Sequence, residues 1–452
     1  MEDMGPTETL ARFVLETEFE DIPGEGIELA KRHFLDCMGS ALAEVVEPAG
    51  RIIQEYVKER GGKEEAKLIG TSIVTSAPNA AFGNGVMAHA ISFDDTAPSH
   101  PTVTILPPLL ALGEKHKFSG REILAAQVLA YDVFLRFNAA TKKAAAIRLS
   151  GWHPTGFFGT IASAAVTAKL LKLDLAQTRM AFGIAASVSG GLSQNIGTMT
   201  MPLHAGNSAR NGMMAALLAQ KGFTGDDEIL EGRFGLMNAL CGKDGYNAAE
   251  LTANLGDPFK IVSPGINLKF YPSCWAHHCA VDALLHLVEK YSLSADKVET
   301  IECDLLLDKP IGRYIDPKND LQAKYSLGYS LAVVLLDGKL GIEQFFPEKI
   351  FDAKTREVMA KVKHVPQEWN EEGPSKHLVT VRLKDGREYA YGVEHCKGEA
   401  KAKPLTRDEL LDKYRPCARR VLSEDKIERS IEIIEHLEDF EDIDELMEVV
   451  TV

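Results

Sequence analysis

The sequence predicts a mainly α-helical protein that carries a smaller α+β insert. Three observations predict it. Apolar residues recur at three-and-four spacing from Thr7 to Ile266, strand-like alternation begins only near Thr300, and the helical pattern returns from Thr406. Taken in order, Thr7–Glu16, Gly26–Val45, Arg121–Arg136 and Phe157–Leu171 read as core-packing helices, and the last is so rich in Ala that most of its circumference is expected to be buried. His100-Pro101-Thr102 and His153-Pro154-Thr155 each precede an apolar run. Proline is favoured at a first helical position, where its missing N–H costs nothing. Each His is therefore expected beside a helix N-terminus, where free N–H groups favour anions. Thr300–Leu307 places Ile301, Cys303, Leu305 and Leu307 on one face, as a strand does. Leu378–Leu383 and Glu388–Val393, joined through Asp385-Gly386, read as a hairpin, because Asp-Gly suits the positive φ angles of a tight turn. Thr406 and Glu409 form a capping box, and Ile427, Ile431, Ile434 and Leu437 stripe an acidic helix. The expected organisation is a helical domain of residues 1–266 and 401–452 around an α+β domain of residues 267–400.

The 452 residues, 45% hydrophobic and 25% charged, are enough to bury a large core. A net charge of −15 argues against binding to nucleic acid or an anionic membrane, since both need a surplus of Lys and Arg on some face. A small anion held by a local cluster of cations remains compatible with it. The acidic start, Met-Glu-Asp-Met-Gly-Pro, lacks the basic and apolar regions of a leader. Seven cysteines without a Cys-x-x-Cys pair point to a reducing, cytoplasmic location. Met180–Ala209 carries no formal charge, yet Gly and Pro interrupt it and Ser, Thr and Asn enrich it, so it is expected to be buried backbone lining a cavity rather than a membrane span.

Gly83-Asn84-Gly85 lacks the Lys-Ser/Thr end of a phosphate loop, and close helix packing is the better reading of its glycines. Cys274, His277, His278 and Cys279 are four soft ligand types in six residues, but the second half of a zinc site is missing. Asp94-Asp95-Thr96 followed by His100 sets carboxylates, a hydroxyl and an imidazole close enough to converge on one pocket wall, with helix capping as the alternative. His153 and His204 lie in uncharged, Gly-rich surroundings. Lys269 is a lone cation among apolar neighbours, and Tyr325 and Tyr329 lie on a helical pattern. Together these are the groups needed to remove a proton next to a carboxylate. A base takes the proton, cations and N–H groups hold the enediolate, and an acid helps any leaving group. That scheme needs no metal and no cofactor.

Five ordered motifs add a resemblance: Gly83-Asn84-Gly85 with Ala88 to Thr96, Ser99 to Thr102, Gly151 to Thr155, Gly197 to Gly212, and Leu335 to Gly338. Together they resemble the MmgE/PrpD family, whose members include 2-methylcitrate dehydratase, cis-aconitate decarboxylase and iminodisuccinate epimerase. The resemblance implies a large all-α domain, a smaller α+β lid domain, a homodimer, and cofactor-independent chemistry on a small anionic polycarboxylate. It implies functional positions at Asp95, Thr96, His100, His153, Lys269 and Tyr329, with His278 as the histidine that follows the lysine. The roles expected are proton transfer for Lys269 and His153, donation to carboxylate or leaving group for Tyr329 and His100, and substrate binding for Asp95, Thr96, His204 and His278. Three positions depart from the family pattern: Ser92 and Cys274 stand where Asp and the decarboxylase's His are expected, and Met201 where Lys is usual. The activity expected is a dehydratase-like lyase, with an epimerase-like isomerase or a non-catalytic organic-acid binder as alternatives. Gly151 to Thr155, Pro272-Ser273-Cys274, Ile315-Asp316-Pro317 and Ala323 to Ser326 look closer to the epimerase branch.

Overall fold

A computed structural model describes residues 4–97, 99–141, 147, 150–305, 312–367 and 377–452. The chain divides into two units: Met1–Ser193, Thr200–Ile266 and Thr406–Val452 form the first, and Gln194–Met199 with Asn267–Leu405 the second. The expected boundaries differ from this in two places. Six residues of the uncharged run go with the second unit, and the return to the first comes at Thr406, the capping residue, rather than at Lys401.

The first unit is built from helices α1 (Pro6–Glu16), α2 (Gly24–Glu44), α3 (Pro48–Arg60), α4 (Ala77–Ala90), α5 (Thr102–His116), α6 (Gly120–Ala140), α7 (Pro154–Leu170), α8 (Leu175–Val188) and α9 (Thr200–Gln220), then α12 (Arg407–Ala418) and α13 (Glu424–Glu435) from the C-terminal segment. A two-residue antiparallel pair, β1 (Ala66–Lys67) and β2 (Val74–Thr75), precedes α4. Every residue of α7 except Lys169 is buried, as its bland composition requires. Helix α9 packs against α4 and α7. A Cβ on Gly85 would stand 2.9 Å from the Cα of Gly206, so the two helices meet backbone to backbone and only glycine fits. Asn84, between Gly83 and Gly85, accepts from Ile69 N and donates to Lys67 O, which ties α4 to β1.

Pro154 is the first residue of α7, with His153 as its N-cap. Pro101 sits one position earlier than the sequence suggests, as the N-cap of α5. The capping box of Thr406 and Glu409 starts α12. Helix α6 is long and apolar enough to cross a membrane, but 89% of that window is buried inside the protein, as in a core helix. The uncharged run is not uniformly buried, because Leu192 and Met199 are exposed.

The second unit contains α10 (His278–Tyr291), α11 (Leu327–Asp337) and strands β3 (Val298–Cys303), β4 (Val362–His364), β5 (His377–Leu383) and β6 (Glu388–Val393). The sheet order is β4-β3-β5-β6, with β3 and β4 parallel and the other pairs antiparallel. Ile301 pairs with Val362 on one side and Val381 on the other. Strand β3 starts two residues earlier than its alternation suggests. A register shift between Val298 and Thr300 lets Val298 and Ile301 both face inward despite their odd spacing. Leu307, the last residue of the alternation, lies outside the described residues. In the hairpin only Gly386 has a positive φ, +85°; Gly386 N donates to Leu383 O and Leu383 N to Arg387 O. This is a three-residue loop with glycine in the left-handed position, not a two-residue turn. Leu284, Ile301, Val333, Val379 and Val381 are among the residues of the core between helices and sheet. The entry and exit of this unit are tied together, with Leu268 N donating to Gly398 O and Ala400 N to Asn267 Oδ1.

Candidate active site

Four histidines of the first unit lie together, two of them on one carboxylate. His89 lies in the last turn of α4, and Ser92, two residues past the helix, adopts left-handed backbone at φ +58°. That reversal returns Asp94 to the helix the chain has just left. Asp94 is fully buried. Its Oδ2 is 3.1 Å from His89 Nδ1 and 2.7 Å from His100 Nδ1, which also lies 2.8 Å from the carbonyl oxygen of Asp95. A carboxylate and a carbonyl only accept, so His100 Nδ1 carries the proton. The same carboxylate puts a proton on His89 Nδ1. With the proton on Nδ1, the nitrogen left to accept is Nε2, and that of His89 is buried without a hydrogen-bond partner.

His153 enters from the start of α7, its N–H donating to Gly191 O at 3.0 Å. Its Nδ1 is 2.9 Å from Nδ1 of His204, in the first turns of α9. Burial, reinforced by His89, pushes His204 down to about 4. His204 is therefore uncharged at neutral pH, and one proton lies between the facing nitrogens. Ring centroids are 4.5 Å apart for His89 and His100, 6.1 Å for His89 and His153, and 5.1 Å for His153 and His204. One ligand nitrogen from each of His89, His100 and His153 lies within 4.8 Å of the others. Among the described residues this is the group that could hold a metal ion; Cys274 to Cys279 form no such group.

Asp95 faces the other way. Its Oδ2 is 3.1 Å from His33 Nδ1 and accepts from the Thr102 hydroxyl, while Oδ1 lies 3.4 Å from Thr102 N. Thr102 continues to Tyr131 at 2.7 Å, and Gln127 donates to Tyr131 at 2.9 Å. Both carboxylate oxygens are thus taken up by the protein at the start of α5. Asp95, expected to bind substrate, is an anchor for the loop that carries Asp94 and His100. Thr96 is buried in that same loop. A second anchor comes from the C-terminal segment, where Lys413 of α12 pairs with Asp36 of α2 and donates to Phe93 O at 2.6 Å. Burial pushes the Asp36 carboxyl up to about 6 against the pull of Lys413.

In the second unit Lys269 is only 1% exposed. His278 opens α10, fully buried, its ring 5.1 Å from that of Tyr271 and 4.8 Å from that of Trp275. Tyr271 is held in turn by Asp282 at 2.5 Å. Tyr329 is the exception among the expected residues. It is a fully buried core residue whose hydroxyl donates to Gln344 O, and burial drives its pKa up. A hydroxyl already committed to a backbone carbonyl is not on offer to a ligand, so the donor role expected of Tyr329 is not carried forward.

Residues 8–249 match the family model of the MmgE/PrpD N-terminal domain, and residues 271–439 match that of the MmgE/PrpD C-terminal domain. The chain belongs to the MmgE/PrpD family. It is similar to the cis-aconitate decarboxylases of Mus musculus and Homo sapiens, each 30% identical over 96% of this chain and 91% and 92% of theirs. The cis-aconitate decarboxylase of Aspergillus terreus is 26% identical over 98% of this chain and 95% of its own. This MmgE/PrpD protein is accordingly an enzyme, a lyase.

Sequence reasoning missed His89, His33 and the central part of Asp94 in this MmgE/PrpD site. The Asp-Asp-Thr motif drew attention to its second carboxylate, whereas the first holds the histidines. The available signal was the five-residue step from His89 to Asp94 across a helix end. Met201, where the family pattern has Lys, is buried one turn before His204 on α9.

Proposed function

We propose that this lyase generates a carbanion beside a carboxylate of a small di- or tricarboxylate, with its own histidines moving the proton and elimination completing the reaction. The observation that carries the reading is Asp94 holding Nδ1 of both His89 and His100. An imidazole pinned in this way is a base at Nε2, and the imidazolium it becomes is stabilised by the same carboxylate. In the forward direction a ring nitrogen takes the proton from the carbon next to the carboxylate. The electron pair left behind is delocalised into that carboxylate and then expels the leaving group, which departs with a proton from a second acid. His153, with uncharged His204 as its partner, is suited to that second transfer. Lys269 keeps the proton-transfer role that the resemblance implies, and its own substitution tests it. The relatives' names supply the substrate class: cis-aconitate is a tricarboxylate.

One observation favours a second reading. Met201 puts an apolar thioether where a lysine could protonate a leaving group. A carbanion without that help is most simply reprotonated on carbon, which is epimerisation. Proton NMR of the enzyme in heavy water with cis-aconitate, 2-methylcitrate, citrate and iminodisuccinate separates the outcomes. Deuterium at the α carbon with a new olefin supports elimination, deuterium with inverted configuration supports the isomerase, and CO₂ loss gives a product one carbon shorter. No exchange or conversion in any acid would overturn the reading and leave a binder.

A further inference from the structure

The three rings that meet beside Asp94 have the donor set of a metal centre as well as that of a base. We infer that His89, His100 and His153 form a binding site for a divalent transition ion of the zinc class, and that the ion silences the proton transfer proposed above. The first half stands alone; the second rests on the proposed function.

Four observations support the site. One nitrogen of each of three rings lies within 4.8 Å of the others. Around a single zinc ion, Zn–N bonds of about 2.0–2.1 Å bring such nitrogens to about 3.3 Å, so closure needs shifts on the order of an ångström. Asp94 stands behind two of the rings on their Nδ1 side, at 3.1 and 2.7 Å. A carboxylate in that position fixes the tautomer and raises the basicity of a ligating histidine. His89 Nε2 is a fully buried polar atom without a hydrogen-bond partner, which an ion would satisfy. His100 is 13% exposed and gives the cluster a way in from solvent. The donors choose the metal. Neutral imidazole suits zinc, copper, nickel and cobalt, whereas magnesium and calcium demand oxygen ligands. With three protein ligands the fourth position is left to water. Coordination occupies the lone pairs that a base needs, so metal and proton compete for the same atoms.

The test is cobalt(II) titration of purified, chelator-treated full-length protein, followed optically and by calorimetry with zinc(II). One equivalent per chain is expected, with visible d–d bands of a nitrogen-ligated ion and no thiolate charge-transfer band. Asp94→Asn is expected to weaken binding about 10- to 100-fold, and His89→Ala by at least as much, each variant being checked for parental circular dichroism. Absence of binding, unchanged affinity in Asp94→Asn, or a thiolate band that moves the ion to Cys274 or Cys279 would overturn the site. Magnesium is expected not to compete. Zinc bound at the site with turnover unchanged would remove the silencing and keep the site, whereas an enzyme with no turnover on any acid but normal zinc binding would remove the proposed function instead.

Discussion

Asp94 Oδ2 lies 3.1 Å from His89 Nδ1 and 2.7 Å from His100 Nδ1, so one oxygen orients two imidazoles. Asp94→Asn keeps the shape but replaces an acceptor with a group that can also donate, and the rings lose their fixed tautomer. Turnover is expected to fall by about 10²- to 10⁴-fold, the usual contribution of a positioned acid or base. KM is expected to change little. Steady-state kinetics decide it, and a variant with normal kcat would remove Asp94 from the chemistry.

Tyr329 and Lys269 make opposite predictions. Tyr329→Phe leaves the buried carbonyl of Gln344 without its donor and is expected to cost about 1 to 3 kcal/mol of stability while turnover stays close to that of the parent. Lys269→Ala is expected to abolish turnover with the fold retained. Urea melts and kinetics on the pair distinguish a core hydroxyl from a working cation. Loss of turnover in Tyr329→Phe without loss of stability would restore the donor role.

Acid sensitivity follows from His204 and His277, which burial holds at about 4 and about 3 in the folded protein. Both lie below the unfolded value near 6.5. The unfolded chain therefore binds more protons between these values, and stability rises with pH across that window. The contribution is complete above pH about 6.5 and is lost as pH falls toward 4 and then 3. Thermal melts from pH 7 to pH 4 are expected to show a falling Tm, less steep in His277→Met. An identical slope in that variant would exclude His277 as a source.

Lys413 and Asp36 form a pair buried on both sides. Removing one partner strands the other charge, so Lys413→Met is expected to cost about 3 to 5 kcal/mol. Combining it with Asp36→Leu is expected to recover most of that loss. A double variant no better than the single one would show that the lysine acts through Phe93 O alone.

Gly85 carries a packing prediction. A Cβ there meets Gly206 at 2.9 Å and the Ala205 oxygen at 3.3 Å. Gly85→Ala is expected to push α4 from α9 and destabilise by about 1 to 3 kcal/mol, measured by denaturant unfolding. Unchanged stability would mean that the helices slide apart without strain.

Local patterns revealed several of the helices, their caps and three of the four strands of the larger sheet, but not β4 or the β1–β2 pair. Helix α7 was legible from its composition, α12 from its capping box, and the hairpin from Asp385-Gly386. Strand β3 was legible only in part, because its bulge breaks the period that alternation relies on. In the site, His100 and His153 were readable because each stands by a proline that starts a helix. The division of labour between Asp94 and Asp95 was not. Two adjacent carboxylates look alike in sequence, and a left-handed residue at Ser92 decides which one turns toward the histidines. The committed hydroxyl of Tyr329 was equally hidden, since Gln344 lies in a separate segment and offers only its backbone.

Lys413 reaches the loop of Asp94 from more than three hundred positions further along the chain. A ribosome makes residues 267–405 between the two. On a nascent chain the carbonyl of Phe93 waits for its tether until residues 267–405 have been translated. A fragment ending at Ile266 carries every histidine of the cluster but not that clamp. The loop of Asp94 is thus clamped only once the C-terminal segment of the same unit has been made.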